Sequence, residues 1–207
     1  MSTIIRKKFK EKVLVVKTAD ISNNTNIKGI SAIKALVNQC SFFVERDIAE
    51  TDPTMKQIIP YIALKYQGEG CEENYKKYFL VKRLGGSGEK RLAGRFTLCL
   101  GGHINPKDGE GETAILNCIK RELKEEVGID INKEPKFLGI INDDSTEVDR
   151  YHVGIVYELQ VDYFNIVIQE PEKLAGRWAE LREIGEQYDN LENWSRIVYD
   201  SYLSKRS

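Results

Sequence analysis

Three carboxylates within five residues, Glu122, Glu125 and Glu126, follow an arginine, Arg121, and precede a glycine, Gly128. Successive residues of a helix turn by about 100°, so the three acids fall within about 100° of arc. Like charges at that spacing repel by about 0.2–0.5 kcal/mol per pair. A divalent cation between them reverses the sign. Oxygen-only ligands suit a hard ion, Mg²⁺ or alternatively Mn²⁺, rather than zinc. The same string also fits an ordinary solvated helix face, with Arg121 and Lys124 balancing the acids.

The neighbouring elements favour a site. Ile115, Ile119 and Leu123 form an apolar stripe beside the acids, so one helix would bury one side and carry carboxylates at its rim. Gly128 is placed to end that helix in the left-handed conformation. Ahead of it, Phe96 to Leu100 reads as a strand that delivers Gly101, Gly102 and His103. Glycine there lets the backbone approach a ligand closely. Asn105 to Gly111 is a polar loop between the two.

The stretch from Gly101 to Ile129 resembles the box of the Nudix hydrolases, Gly-x5-Glu-x7-Arg-Glu-U-x-Glu-Glu-x-Gly-U with U apolar. Arg121, Glu122, Leu123, Glu125, Glu126, Gly128 and Ile129 match its second half in full. The first half departs: nine residues separate Gly102 from Glu112, and eight separate Glu112 from Arg121. Asp108 keeps the family spacing from Gly102, and Thr113 keeps the spacing to Arg121. A wider resemblance to a Firmicutes-type Nudix subgroup runs from about Tyr61 to Leu203, through Val81-Lys82-Arg83 and Ile141 to Ser145.

The resemblance implies an α/β/α sandwich around a mixed β-sheet, an α/β (α+β) fold, with residues 61–207 as the Nudix domain and 1–60 as an N-terminal extension packed on it. It implies Mg²⁺-dependent hydrolysis of a nucleoside diphosphate derivative. Glu122, Glu125, Glu126 and the Gly102 carbonyl would hold the metal, with Glu122 and Glu126 also catalytic and Arg121 orienting a glutamate. The partner is a small-molecule nucleotide, and the family's habit of dimerising extends to a homodimer. The alternative is a non-catalytic Nudix-like module that senses a nucleotide, for which the altered loop spacing and Arg177, where some relatives carry Glu, speak. Arg95, Asp144 and Glu172 are candidates for substrate contacts, Glu172 because Nudix enzymes often supply a further glutamate near the position of Trp178.

At 207 residues, 41% apolar and 30% charged, the chain can bury a sizeable core and is globular rather than disordered. A net charge of −1 gives no field to recruit nucleic acid or an acidic membrane. The basic run from Arg6 to Lys10 is short. No apolar run reaches the roughly 18 residues that span a bilayer, and the start lacks a signal peptide's apolar core. Cys40, Cys71, Cys99 and Cys118 are widely spaced and read as reduced thiols. A cytoplasmic protein is expected.

Strands are expected at Val13–Val16, Phe42–Val44, Tyr61–Tyr66, Tyr78–Arg83, Phe137–Ile141 and Val153–Leu159, with helices at Ile30–Cys40, Glu180–Ile184 and Leu191–Leu203. Asp20 to Gly29 reads as a loop, Asp52-Pro53 and Gly68 to Glu73 as turns, and Gly85 to Gly88 as a glycine turn without a P-loop lysine. His103 and His152 are read as packed histidines.

Overall fold

The computed structural model describes residues 11–23, 29–67, 76–85, 92–162 and 164–206. The basic run at Arg6–Lys10, the Gly68–Glu73 turn, most of the glycine turn at 85–88, Cys71 and Arg91 lie outside them. Period-two runs of apolar and β-branched residues become strands, and the 3.6-period stripes become helices. In chain order the first half supplies β1 (Lys12–Lys17), α1 (Thr18–Asn23), α2 (Ile30–Cys40), β2 (Phe42–Glu45), α3 (Arg46–Ala49), β3 (Met55–Gln67) and β4 (Lys76–Arg83). The second half supplies β5 (Phe96–Thr97), β6 (Leu100–Gly101), α4 (Gly111–Val127), β7 (Lys136–Ile141), β8 (His152–Val161), β9 (Leu174–Glu180), α5 (Leu181–Glu186) and α6 (Asn193–Val198).

β3 is the spine of one mixed sheet. Along one edge it pairs in parallel with β8, from Gln57 with His152 to Tyr66 with Val161. Its other edge takes β1 at its start, β6 in its middle and β4 at its end, all antiparallel. Pro60 falls between the stretches that pair with β1 and β6, so its missing N–H costs no bond on that edge. β9 and β5 extend from β4, β7 from β8, and β2 from β1. β3 runs through the expected boundary at residue 60, so the extension enters the sheet of the following domain.

The two faces of β3 have separate cores. Ile58, Ile62 and Leu64 pack with Phe79, Val81, Val153 and Ile155 beneath α2 and α4, through Ile33, Leu36, Ile115, Ile119 and Leu123. Tyr61 and Ala63 pack with Tyr78, Leu80 and Val156 beneath Ile184, Val198 and Leu203. Helices on both faces of a mixed sheet make the expected α/β/α sandwich. α4 ends as its sequence requires: Gly128 is left-handed at φ 67°, and its N–H returns to the carbonyls of Leu123 and Lys124.

Three local expectations are corrected. Residues 20–23 of the supposed loop belong to α1, because Ile21 buries itself in the core with α2. The strand expected over Phe96–Leu100 is two short strands bent at Leu98. There the Leu98 N–H is taken by Ser195 Oγ at 3.0 Å and the Cys99 N–H by Thr97 Oγ1 at 3.3 Å, so neither stays in a ladder. Tyr61 Oη closes this buried hydroxyl cluster, 2.8 Å from Thr97 Oγ1 and 3.0 Å from Ser195 Oγ. The last helix starts at Asn193 and loosens into a π-turn over Tyr199–Leu203. No helix among the described residues is long and apolar enough to cross a membrane.

Ile62 is fully buried at the centre of β3. Ile62→Ala is expected to cost about 2–5 kcal/mol in urea unfolding, from lost transfer energy and the cavity left behind. A cost below about 1 kcal/mol would show that β3 is not the spine.

Candidate active site

Arg121, on α4, organises the site. Its Nε and Nη2 donate to the two carboxylate oxygens of Asp108 at 2.9 and 2.8 Å. Nη2 also donates to the His103 carbonyl at 2.9 Å, while Nη1 pairs with Glu122 and, at 3.4 Å, with Glu125. A planar fork fits this bidentate geometry, which a lysine could not supply. Side-chain exposure is 15% for Arg121 and 3% for Asp108. The Asp108 bond is the first cause that holds the Arg121 guanidinium above its ordinary value. Burial alone would raise Asp108, but the Arg121 bond and the Asn105 N–H outweigh it and hold the carboxyl low.

Asp108 occupies the family spacing from Gly102, and Glu112 does not take its place. Glu112 pairs with Lys34 at 3.0 Å at the surface. The extra loop residues therefore follow Asp108, which sits in the short turn Pro106–Asp108, and α4 begins only at Gly111.

Glu122 and Gly102 touch. A Cβ built on Gly102 would overlap the Glu122 carboxylate, so only glycine leaves room there. Burial raises the Glu122 carboxyl against the opposing pull of Arg121. Glu126 lies one turn on. Burial, then the charge of Glu122, pushes it up to about 8, with Arg83 opposing. Its Oε2 is buried and has no hydrogen-bond partner among the described residues. Glu125 is 56% exposed, tied to Arg121 and, at 3.9 Å, to Lys107.

The donor set fits a hard divalent cation. The Glu122 carboxylate lies at the Gly102 backbone, and Glu126, whose charge couples to it, has a buried oxygen that no donor among the described residues satisfies. As the side chains stand, no three His, Cys, Asp or Glu groups among the described residues converge closely enough to hold a metal. Arg121 draws Glu122 and Glu125 to itself instead.

Beside these carboxylates opens a cavity of about 360 Å³, walled by Arg83, Gly102, His103, His152, Asn193 and Trp194 among others. Arg83 stands between the two regions: its Nε pairs with Glu192, and its charge reaches Glu126. His103 is buried, and that burial pulls its pKa down to about 3, so the ring is neutral. His152 lies 5.7 Å from it, ring to ring.

Gly102, Arg121, Glu122 and Glu126 are brought together, with Glu125 at the rim. The other candidates are not. Arg95 donates to the Asp189 carbonyl at 2.6 Å and lies outside the cavity wall. Asp144 pairs with buried Lys56 at 2.5 Å and lies outside the cavity wall. Glu172 is exposed, and the neighbouring Glu170, paired with Lys173, is the acid whose charge reaches Glu126. Arg177 is exposed and pairs with Glu183. Sequence reasoning missed Arg83, Glu192, Asp149 and Asn193 as site residues. Only Asp108 had a readable signal, its spacing from Gly102.

A NUDIX domain model matches residues 71–202. Protein YmaB of Bacillus subtilis (strain 168) is 36% identical over 180 residues, 83% of this chain and 82% of that protein. The crystal structure of Tm1382, provisionally described as a Nudix hydrolase, superposes with a TM-score of 0.78 at 29% identity, covering 94% of this chain and 100% of the other. The NUDIX domain of Shewanella oneidensis NrtR, solved with ADP ribose, superposes at 0.56 and 15% identity over 73% of this chain and 89% of its own. That last likeness is one of fold.

A double-mutant cycle separates the two ion pairs. Asp108→Ala with Arg121→Ala is expected to give a coupling of about 1.5–3 kcal/mol in denaturant unfolding, the range for bonds to charged groups. Lys34→Ala with Glu112→Ala should give less than about 1 kcal/mol, as exposed pairs do. Equal couplings would overturn the assignment of Asp108 as the partner that matters.

Proposed function

The chain belongs to the NUDIX domain family, and on that premise we propose that it hydrolyses the pyrophosphate linkage of a nucleoside diphosphate derivative, with Mg²⁺ held by Glu122, Glu125 and Glu126 beside the Gly102 carbonyl. Membership makes it a Nudix pyrophosphohydrolase. The observation that supports the site is the buried, unpartnered Oε2 of Glu126 beside Glu122. Mg²⁺, when bound, screens the charge of the pyrophosphate and lowers the pKa of bound water.

The side chains do the rest. Arg121 orients Glu122 through a charge-assisted bond and does not touch the substrate. Glu122 or Glu126 accepts the proton of the attacking water, a step that contributes about 10²–10⁴-fold in rate. Arg83 keeps its Nε on Glu192 and offers its remaining N–H groups to a phosphate oxygen in the cavity. His103, neutral and buried, closes the wall without adding charge. Catalysis is assigned to residues 61–207, and the preceding chain contributes the start of β3. Exposed Phe164 and Val167 supply apolar surface for the proposed homodimer.

Product release from a panel of nucleoside diphosphate derivatives tests this. Turnover is expected with Mg²⁺, is lost with EDTA, and falls by about 10²–10⁴-fold in Glu126→Gln with the circular dichroism spectrum retained. Nucleotide binding without turnover across the panel would replace the hydrolase with a sensing module.

A further inference from the structure

Part of the cavity wall has a one-sided chemistry. His152 Nδ1 lies 2.8 Å from the Val148 carbonyl, which can only accept, so Nδ1 carries the ring proton. Burial lowers the His152 pKa, and the neutral ring leaves Nε2 as an acceptor. Nε2 makes no hydrogen bond among the described residues and is not sealed off by protein. Asn193 is oriented in the same sense. Its Nδ2 donates to Asp143 Oδ2 at 2.7 Å and Asp149 Oδ2 at 2.8 Å, so its Oδ1 is the unused end. Asp149, a carboxylate, adds only acceptors. All three residues line the cavity, as does the cationic Arg83.

We infer that Asp149, His152 and Asn193 form a hydrogen-bond-accepting face that selects the nucleoside half of the substrate through a donor it carries, either an N–H of the base or a ribose hydroxyl. The inference rests on the hydrolase reading above. It assigns specificity to residues that no box motif contains. A phosphate beside Gly102 and Arg83 would leave the nucleoside to fill the cavity towards Trp194, whose ring stands edge-on to Tyr61 at 5.5 Å. The acceptors of Asp149, His152 and Asn193 penalise a ligand group set against them that also only accepts, because each would be buried unpaired, whereas the unpartnered Trp194 Nε1–H in the same wall is a donor. The Val148 carbonyl is a positioning group, since it fixes which nitrogen of His152 faces the ligand.

Calorimetric titration of the full chain tests the face. The ligands are inorganic pyrophosphate, AMP, CMP, GMP and UMP, then two relatives of the tightest nucleotide: its 2′-deoxy form and the form whose base lacks its N–H donors. One of these two relatives is expected to bind about tenfold weaker than its parent in the wild type, the equivalent of one hydrogen bond of about 1.4 kcal/mol. His152→Phe should erase that difference while pyrophosphate binding stays unchanged. His152→Gln, which returns an acceptor oxygen near the position of Nε2, should restore it. The relative that weakens identifies base or ribose as the donor. Pyrophosphate binding without discrimination in the wild type, or discrimination that survives in His152→Phe, would overturn the face and leave the hydrolase standing. Failure of both pyrophosphate and nucleotides to bind would overturn the hydrolase and this inference together.

Discussion

The fork of Arg121 on Asp108 is the interaction from which the site takes its shape. It joins three pieces of chain that are distant in character: the glycine turn, through the His103 carbonyl; the short turn Pro106–Asp108, through Asp108; and the carboxylate helix, through Arg121 itself. A buried pair of this kind is weak evidence for net stability, since desolvation offsets much of the attraction. Its contribution is geometrical. With both carboxylate oxygens and a carbonyl satisfied by one planar group, α4 has little freedom to slide or roll, and Glu122 is set against Gly102. Loop length can then vary on the far side of Asp108 without disturbing the carboxylates.

The sheet supplies the second constraint. β3 bears a different core on each face and a different neighbour along each third of one edge. Its parallel partner β8 begins at His152, so the strand that carries the core also opens at the cavity wall. Close packing permits this only where side chains are small: a Cβ on Gly101 would meet the Pro60 carbonyl. The carboxylates thus belong to the face of the sheet that α4 covers, while the cavity reaches towards Tyr61 and Trp194 of the other face. Arg83, at the end of β4, links the two by charge.

Local signals were legible and convergent ones were not. The helix over Ile30–Cys40, the strand over Phe137–Ile141 and the left-handed stop at Gly128 depend on nearest neighbours in sequence, and they stand where periodicity put them. The carboxylate triplet was readable for the same reason, since its spacing lies within one helix. Asp108 was half legible: its distance from Gly102 matched, but its role depended on an arginine thirteen places on. Asp149 and Asn193 meet across forty-four residues, and Arg83 meets Glu192 across a hundred and nine. No window of sequence contains such pairs. Arg95 and Asp144 were drawn from chemistry and Glu172 from the family resemblance, and neither says which way a loop turns. Lys56 shows the cost of that gap, for a lysine in a strand gave no hint that it would be buried to hold Asp144.

The hydroxyl cluster of Tyr61, Thr97 and Ser195 has a consequence for the order in which the molecule comes into being. The bend at Leu98 delivers Gly101 and Gly102, and its backbone is held by Ser195, near the end of the chain. During synthesis the box residues leave the ribosome long before that serine does. Until α6 docks, the Leu98 N–H has no such partner, and the bend that leads into the glycine turn is not held. Closing a loop of nearly a hundred residues carries a larger entropic cost than the local contacts within α4. A nascent chain therefore holds its complete set of acidic side chains before the bend that leads to them is secured.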